Sequence, residues 1–110
     1  MDRRKTKEPD TTNKYVVIVS DKGKGSDNND VLSAISAVIY KYNADILDTA
    51  QEKFEGRSIT YIIIDIKGLQ ISVNEFSNRL WLRGNDLGYK AYLKREKIYL
   101  TWVREQISIL

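Results

Sequence analysis

The chain contains neither cysteine nor histidine. Without cysteine there is no disulfide, no thiolate nucleophile and no zinc–sulfur centre. Without histidine the usual general base, the commonest metal ligand and the near-neutral proton switch are gone. An enzyme built from this sequence would have to work with carboxylates, lysines and tyrosines alone, so catalysis is not expected. Proline occurs once, at Pro9, and no apolar run approaches the ~20 residues that cross a bilayer. The opening stretch MDRRKTKEPDTTN is charged and has no apolar core of a secretory signal. A cytoplasmic location is the expectation.

What remains is the composition of a soluble globular protein, with 110 residues, 42% hydrophobic and 30% charged. That length makes one domain, and a core this small gains from pairing with a second copy. The net charge is +3. Residues 79–110 hold seven basic groups against three acidic ones, a mild bias rather than the dense footprint of a dedicated nucleic-acid binder. Residues 1–13 are polar with no apolar period and read as a disordered tail. Residues 14–110 read as a single domain.

Along that domain the apolar period changes repeatedly. Tyr15-Val16-Val17-Ile18-Val19 is a β-branched run suited to a strand buried on both faces. The polar stretch Ser20–Asp30 follows as a loop. Val31, Leu32, Ile35, Val38, Ile39 and Tyr42 then form a helical stripe, capped by Asn29 or Asp30 and ended by Asn43 in the left-handed conformation. Ala44–Phe54 reads as a half-exposed strand, Glu55-Gly56 as a turn and Ser58–Ile66 as a second strongly apolar strand. Ser72-Val73-Asn74-Glu75 has the form of a capping box, in which Ser72 and Glu75 serve each other's amides. Gly88 closes the helix it opens. Tyr89–Leu93 is a short strand, and Lys94 onward reads as a last helix.

The order strand, helix, strand, strand, helix, strand predicts an α+β fold, a ferredoxin-like βαββαβ sandwich with an additional C-terminal helix. In that topology the first and third strands are central, which matches their uniform apolarity. Two helices cover one face only, yet Tyr61 and Ile63 alternate with Ile62 and Ile64, so the second face needs a cover. The expected cover is the C-terminal helix, a partner subunit, or both, with Tyr61, Ile63, Tyr99, Trp102 and Val103 as interface residues.

Several motifs have duller explanations. Gly23-Lys24-Gly25-Ser26 lacks the spacing of a phosphate-binding loop and reads as a flexible turn. Asp21, Asp27 and Asp30 with Asn28 and Asn29 miss the spacing of a calcium loop, and capping explains them, so no metal and no cofactor is expected. Asp45, Asp48 and Asp65 have no partner nucleophile. An RNA-recognition motif shares the topology but needs strand aromatics, and here the third strand is dominated by isoleucine.

Ile35-Ser36-Ala37-Val38-Ile39, followed by Asn43-Ala44-Asp45-Ile46-Leu47-Asp48 and Gln51, resembles the ACT domain. The likeness is to small stand-alone members related to the glycine-cleavage-system repressor. It implies a non-enzymatic regulatory domain, a homodimer paired side by side, with an amino acid or similar small ligand bound at the interface. Carried over residue by residue, the ligand site comprises Asp27, Asn28, Asn29, Asp30 and Val31, together with Asn43, Ala44, Asp45 and Ile46. Where the family carries an Asp-Lys-x-Gly-Ile pattern, this chain has Asp27-Asn28-Asn29-Asp30-Val31, with Asp30 in the glycine's place. The alternatives are a nucleic-acid-binding module using the basic C-terminal third, with salt-dependent retention, and a ligand-free interaction domain of the same topology.

Overall fold

A computed structural model describes residues 13–21, 28–54 and 57–95. Their elements run β1 (Lys14–Asp21), α1 (Asn28–Lys41), β2 (Asp45–Phe54), β3 (Arg57–Asp65), α2 (Val73–Asp86) and β4 (Tyr89–Arg95). The four strands form one sheet in the order β2-β3-β1-β4, antiparallel throughout. The two apolar segments are thus the central strands. They must be, because only a strand flanked on both edges and both faces can hide a continuous β-branched run.

Alternation divides the sheet into two faces. Tyr15, Val17 and Val19 of β1, Ile62 and Ile64 of β3, and Tyr89 and Ala91 of β4 face the helices. They meet Val31, Ile35 and Ile39 of α1 and Phe76 and Leu80 of α2 in one buried core. Burying each of these large side chains contributes about 1.5–3 kcal/mol. α2 lies over β4, while α1 packs beside it and leans toward β2. At Gly84, α2 lies close against β4. A Cβ there would stand 3.0 Å from the Ala91 Cβ.

The caps differ from expectation in two places. α1 begins at Asn28, a turn before the apolar stripe starts, so Asn29 and Asp30 lie within it instead of capping it. Ser72 does cap α2, its hydroxyl accepting from the Glu75 N–H at 3.0 Å. The Glu75 carboxylate, however, accepts from Arg79 at 3.2 Å. At an exposed helix start the i,i+4 guanidinium sets a full positive charge against the carboxylate, where a backbone amide sets only a dipole. Asn43 (φ 68°) and Gly88 (φ 83°) both take the left-handed conformation expected of helix ends.

Other boundaries shift by a few residues. β1 runs on to Asp21 and β4 to Arg95, so Lys94 and Arg95 extend the strand through pairing with Val16 and Tyr15. Asn13 is tied down as well, its carbonyl accepting from the Ile66 N–H at 2.8 Å. Asn13, expected in the tail, is therefore part of the folded domain, while residues 1–12, the Glu55-Gly56 turn and the last helix beyond Arg95 lie outside the described residues. Among the described residues no helix is long and apolar enough to cross a membrane.

Candidate functional site

The two halves of the sequence-predicted ligand site sit at opposite ends of α1. Asn28, Asn29 and Asp30 form its first turn, and Asn43, Ala44, Asp45 and Ile46 lead from its end into β2. Fourteen residues of helix at 1.5 Å per residue hold the two groups about 20 Å apart. Asp27 lies outside the described residues. Within one chain the fold does not bring the two groups together.

The first half has the chemistry of a helix start. Its free N–H groups and positive dipole end attract anions, and Asp30, exposed, already supplies one negative charge there. Val31 is 2% exposed and belongs to the core.

The second half is a fixed corner. The Asn43 and Ala44 N–H groups donate back to the carbonyls of Tyr40 and Ile39, which completes the helix end. The Asn43 side-chain amide donates to the Gly68 carbonyl at 3.0 Å, and the Gln70 N–H donates to the Tyr42 carbonyl at 3.0 Å. The α1–β2 corner is thus clasped to the β3–α2 connection. Ala44 is buried and Ile46 packs partly buried on the core. Asp45 alone of this group presents a free-standing charge, exposed at the start of the edge strand. Nothing in the apolar pattern between Ile66 and Ser72 announces the clasp. The one visible signal was a glycine, and a Cβ at Gly68 would stand 2.9 Å from the Asn43 Nδ2.

The carboxylates of the sheet are arranged structurally. Asp45 lies opposite Asp65, which lies opposite Lys14 across β3 and β1. Asp65 accepts from the Lys67 N–H and Asp48 from the Thr49 N–H, both at 2.8 Å. Asp48 follows an irregularity in the β2–β3 register between Ile46 and Asp48. Among the described residues no cluster of three metal-ligating side chains occurs. The Gly23–Ser26 loop lies outside the described residues.

On the face away from the helices, the strand positions that would stack bases hold Val16 and Ile18 on β1 and Tyr61 on β3. Tyr61 is 6% exposed and its hydroxyl donates to Glu52 at 3.2 Å, so it offers no open ring face. Tyr61 and Ile63 do fall on the expected second face. Their expected companions Tyr99, Trp102 and Val103 lie outside the described residues. Between α1 and α2 lies an open groove of about 220 Å³ that the sequence pattern does not announce, lined by Val38, Tyr42 and Leu82 with Lys41, Arg79, Arg83 and Asp86.

No family model matches the chain. It is similar to the UPF0237 protein of Methanopyrus kandleri, at 25% identity over 75 residues, covering 68% of this chain and 83% of that protein. A UPF0237 protein of Listeria monocytogenes is 27% identical over 75 residues, covering 68% and 84%. Among solved structures, an ACT domain protein from Streptococcus pneumoniae superposes with a TM-score of 0.62 at 16% identity, covering 78% of this chain and 92% of that one. The fold is ACT-like. The antiparallel four-stranded sheet and its two helices match that fold, and the expectation drawn from residues 35–51 is met at the level of fold.

Proposed function

We propose that this ACT-like chain is a non-enzymatic regulatory domain that works as a homodimer and binds an amino acid, or a similar small zwitterion, between two copies. The observation that carries this reading is the separation of the candidate ligand residues by the length of α1. A two-fold axis beside α1 sets two copies of the helix antiparallel, so that the start of one helix meets the end of the other. β2 is an edge strand on the α1 side of the sheet, and its free edge suits such side-by-side pairing. Each of the two resulting sites then joins Asn28–Val31 of one copy to Asn43–Ile46 of the other. The helix start favours the ligand carboxylate, and Asp45 favours its ammonium group. Val31 and Ala44, being buried, contribute backbone only. The kinship to stand-alone members related to the glycine-cleavage-system repressor belongs to the same proposal, as does the cytoplasmic location.

The test is thermal unfolding with each free amino acid added in turn, alongside light scattering. The proposal expects a mass near twice 12.7 kDa and stabilisation by at least one amino acid. At 100 times its dissociation constant a ligand adds about 2.7 kcal/mol. Asp45→Ala should abolish that shift and leave the mass unchanged. A monomeric mass, or no shift with any amino acid, overturns the proposal.

A further inference from the structure

The groove between α1 and α2 gathers two kinds of side chain that a merely solvated helix surface does not need together. Val38 and Tyr42 on α1 and Leu82 on α2 form its apolar lining, and Leu82 is left 45% exposed. Lys41, Arg79 and Arg83 stand with them, against one carboxylate, Asp86. Helical spacing brings them together. Residues 38, 41 and 42 share one face of α1, and residues 79, 82, 83 and 86 share one face of α2. Lys41 and Arg83 lie in the last turns of their helices, where a cation complements the dipole. The dipole does not account for Arg79, nor for an exposed leucine in the same groove.

These cations are weakly committed within the chain. Arg79 meets Glu75 at 3.2 Å, but both side chains are half-exposed, and such a pair is worth little in water. Arg83 and Asp86 stand 4.0 Å apart, at the limit of an ion pair. Among the described residues Lys41 meets no carboxylate, and its Nζ lies 5.5 Å from the centroid of the Tyr42 ring. The groove thus keeps an excess of positive charge beside an apolar floor.

We propose that this groove docks an acidic amphipathic helix of a partner protein. Its apolar side chains seat on Val38, Tyr42 and Leu82, and its carboxylates meet Lys41, Arg79 and Arg83. Charge complementarity sets the sign of the occupant, and the size of the groove sets its kind. Pockets that enclose a small molecule hold about 300–1,000 Å³, whereas this groove is open and holds about 220 Å³. Arg79 and Asp86 are two turns apart on α2, about 10 Å at the helical rise. That length matches two turns of a third helix laid into the groove. A nucleic-acid backbone would use the cations and leave Val38 and Leu82 without a partner. The Tyr42 ring is also engaged, edge-on to Phe76 with centroids 6.5 Å apart, so it offers no platform for a base. The groove opens on the α2 side of α1. The proposed pairing uses β2 and the other side of α1, so both copies of a dimer present the groove.

The test takes the full-length protein and a fluorescein-labelled peptide of glutamate and leucine in helical period, read by fluorescence anisotropy. Two control peptides replace the glutamates by lysine or the leucines by serine. The Glu/Leu peptide should bind about ten-fold more tightly than either control, and more weakly as salt rises. Lys41→Glu combined with Arg83→Glu should lower its affinity about ten-fold, because each exchange turns an attraction into a repulsion. Leu82→Ser should lower it several-fold at low and high salt alike. All three positions are exposed, so circular dichroism should stay unchanged, and the peptide comparison needs no variant. No binding of the Glu/Leu peptide, equal binding of the lysine peptide, or unchanged affinity in either variant would each overturn the proposal. So would tighter binding of a single-stranded oligothymidylate that the charge reversal abolishes. None of these readouts depends on a bound amino acid.

Discussion

Asn43 carries two separable energies, and substitution can divide them. Its backbone sits at φ 68°, a conformation that costs a residue with an ordinary Cβ about 1–2 kcal/mol, though asparagine tolerates it. Its side chain donates to the Gly68 carbonyl at 3.0 Å, a bond worth about 1 kcal/mol net. Asn43→Ala loses both and should cost about 2 kcal/mol. Asn43→Gly keeps the easy backbone and loses only the hydrogen bond, about 1 kcal/mol. For a domain of this size 1 kcal/mol moves the melting temperature by about 4–8 °C, so the two variants should differ by several degrees. Gly68→Ala approaches the same clasp from the other side. Its Cβ would meet the Asn43 Nδ2 at 2.9 Å and the Asn43 carbonyl at 3.3 Å, an overpacking of about 1–3 kcal/mol. Removing the Asn43 side chain takes away the tighter contact, so Gly68→Ala should cost less in the Asn43→Gly background than alone. Urea unfolding followed by circular dichroism measures all four corners of the cycle. Equal stability of the Ala and Gly variants at 43, or strict additivity with Gly68→Ala, would refute the reasoning.

Three further outcomes follow from the packing. Ser72→Ala removes the α2 cap and should cost about 1 kcal/mol in the same unfolding assay, with Ser72→Asp retaining most of the stability. Phe76→Ala empties the centre of a core in which Phe76 is 0% exposed. It should cost about 3–5 kcal/mol, read as a large drop in denaturation midpoint. Gly84→Ala would gain up to about 1 kcal/mol in helix propensity on a free surface. Here its Cβ presses on Ala91 at 3.0 Å, so thermal melts should show a net loss of stability.

Much of the fold is legible in local chemistry. The β-branched runs at Tyr15–Val19 and Ser58–Ile66 mark the central strands because few other environments bury both faces of a segment. Ser72, Asn43 and Gly88 mark helix ends because their effects reach only a turn away. The strand ends were less legible, since Lys94 and Arg95 join β4 only through pairing with β1, and a polar edge residue looks much like loop. The candidate site was read as one group from a resemblance, while its geometry depends on the direction of α1.

By itself, then, the sequence determined the type and order of the elements, the identity of the central strands and the exclusion of thiol and imidazole chemistry. These follow from residue identity and short-range periodicity. Only the tertiary structure decided that Asn43 is bound to Gly68, twenty-five residues away, that Glu75 turns to Arg79 instead of its cap, and that the ligand residues stand at opposite ends of a helix. It also decided that Lys41, Arg79 and Arg83 line one groove with Leu82. Each of these depends on which distant groups the chain brings within a few ångströms, and a one-dimensional pattern does not encode that distance.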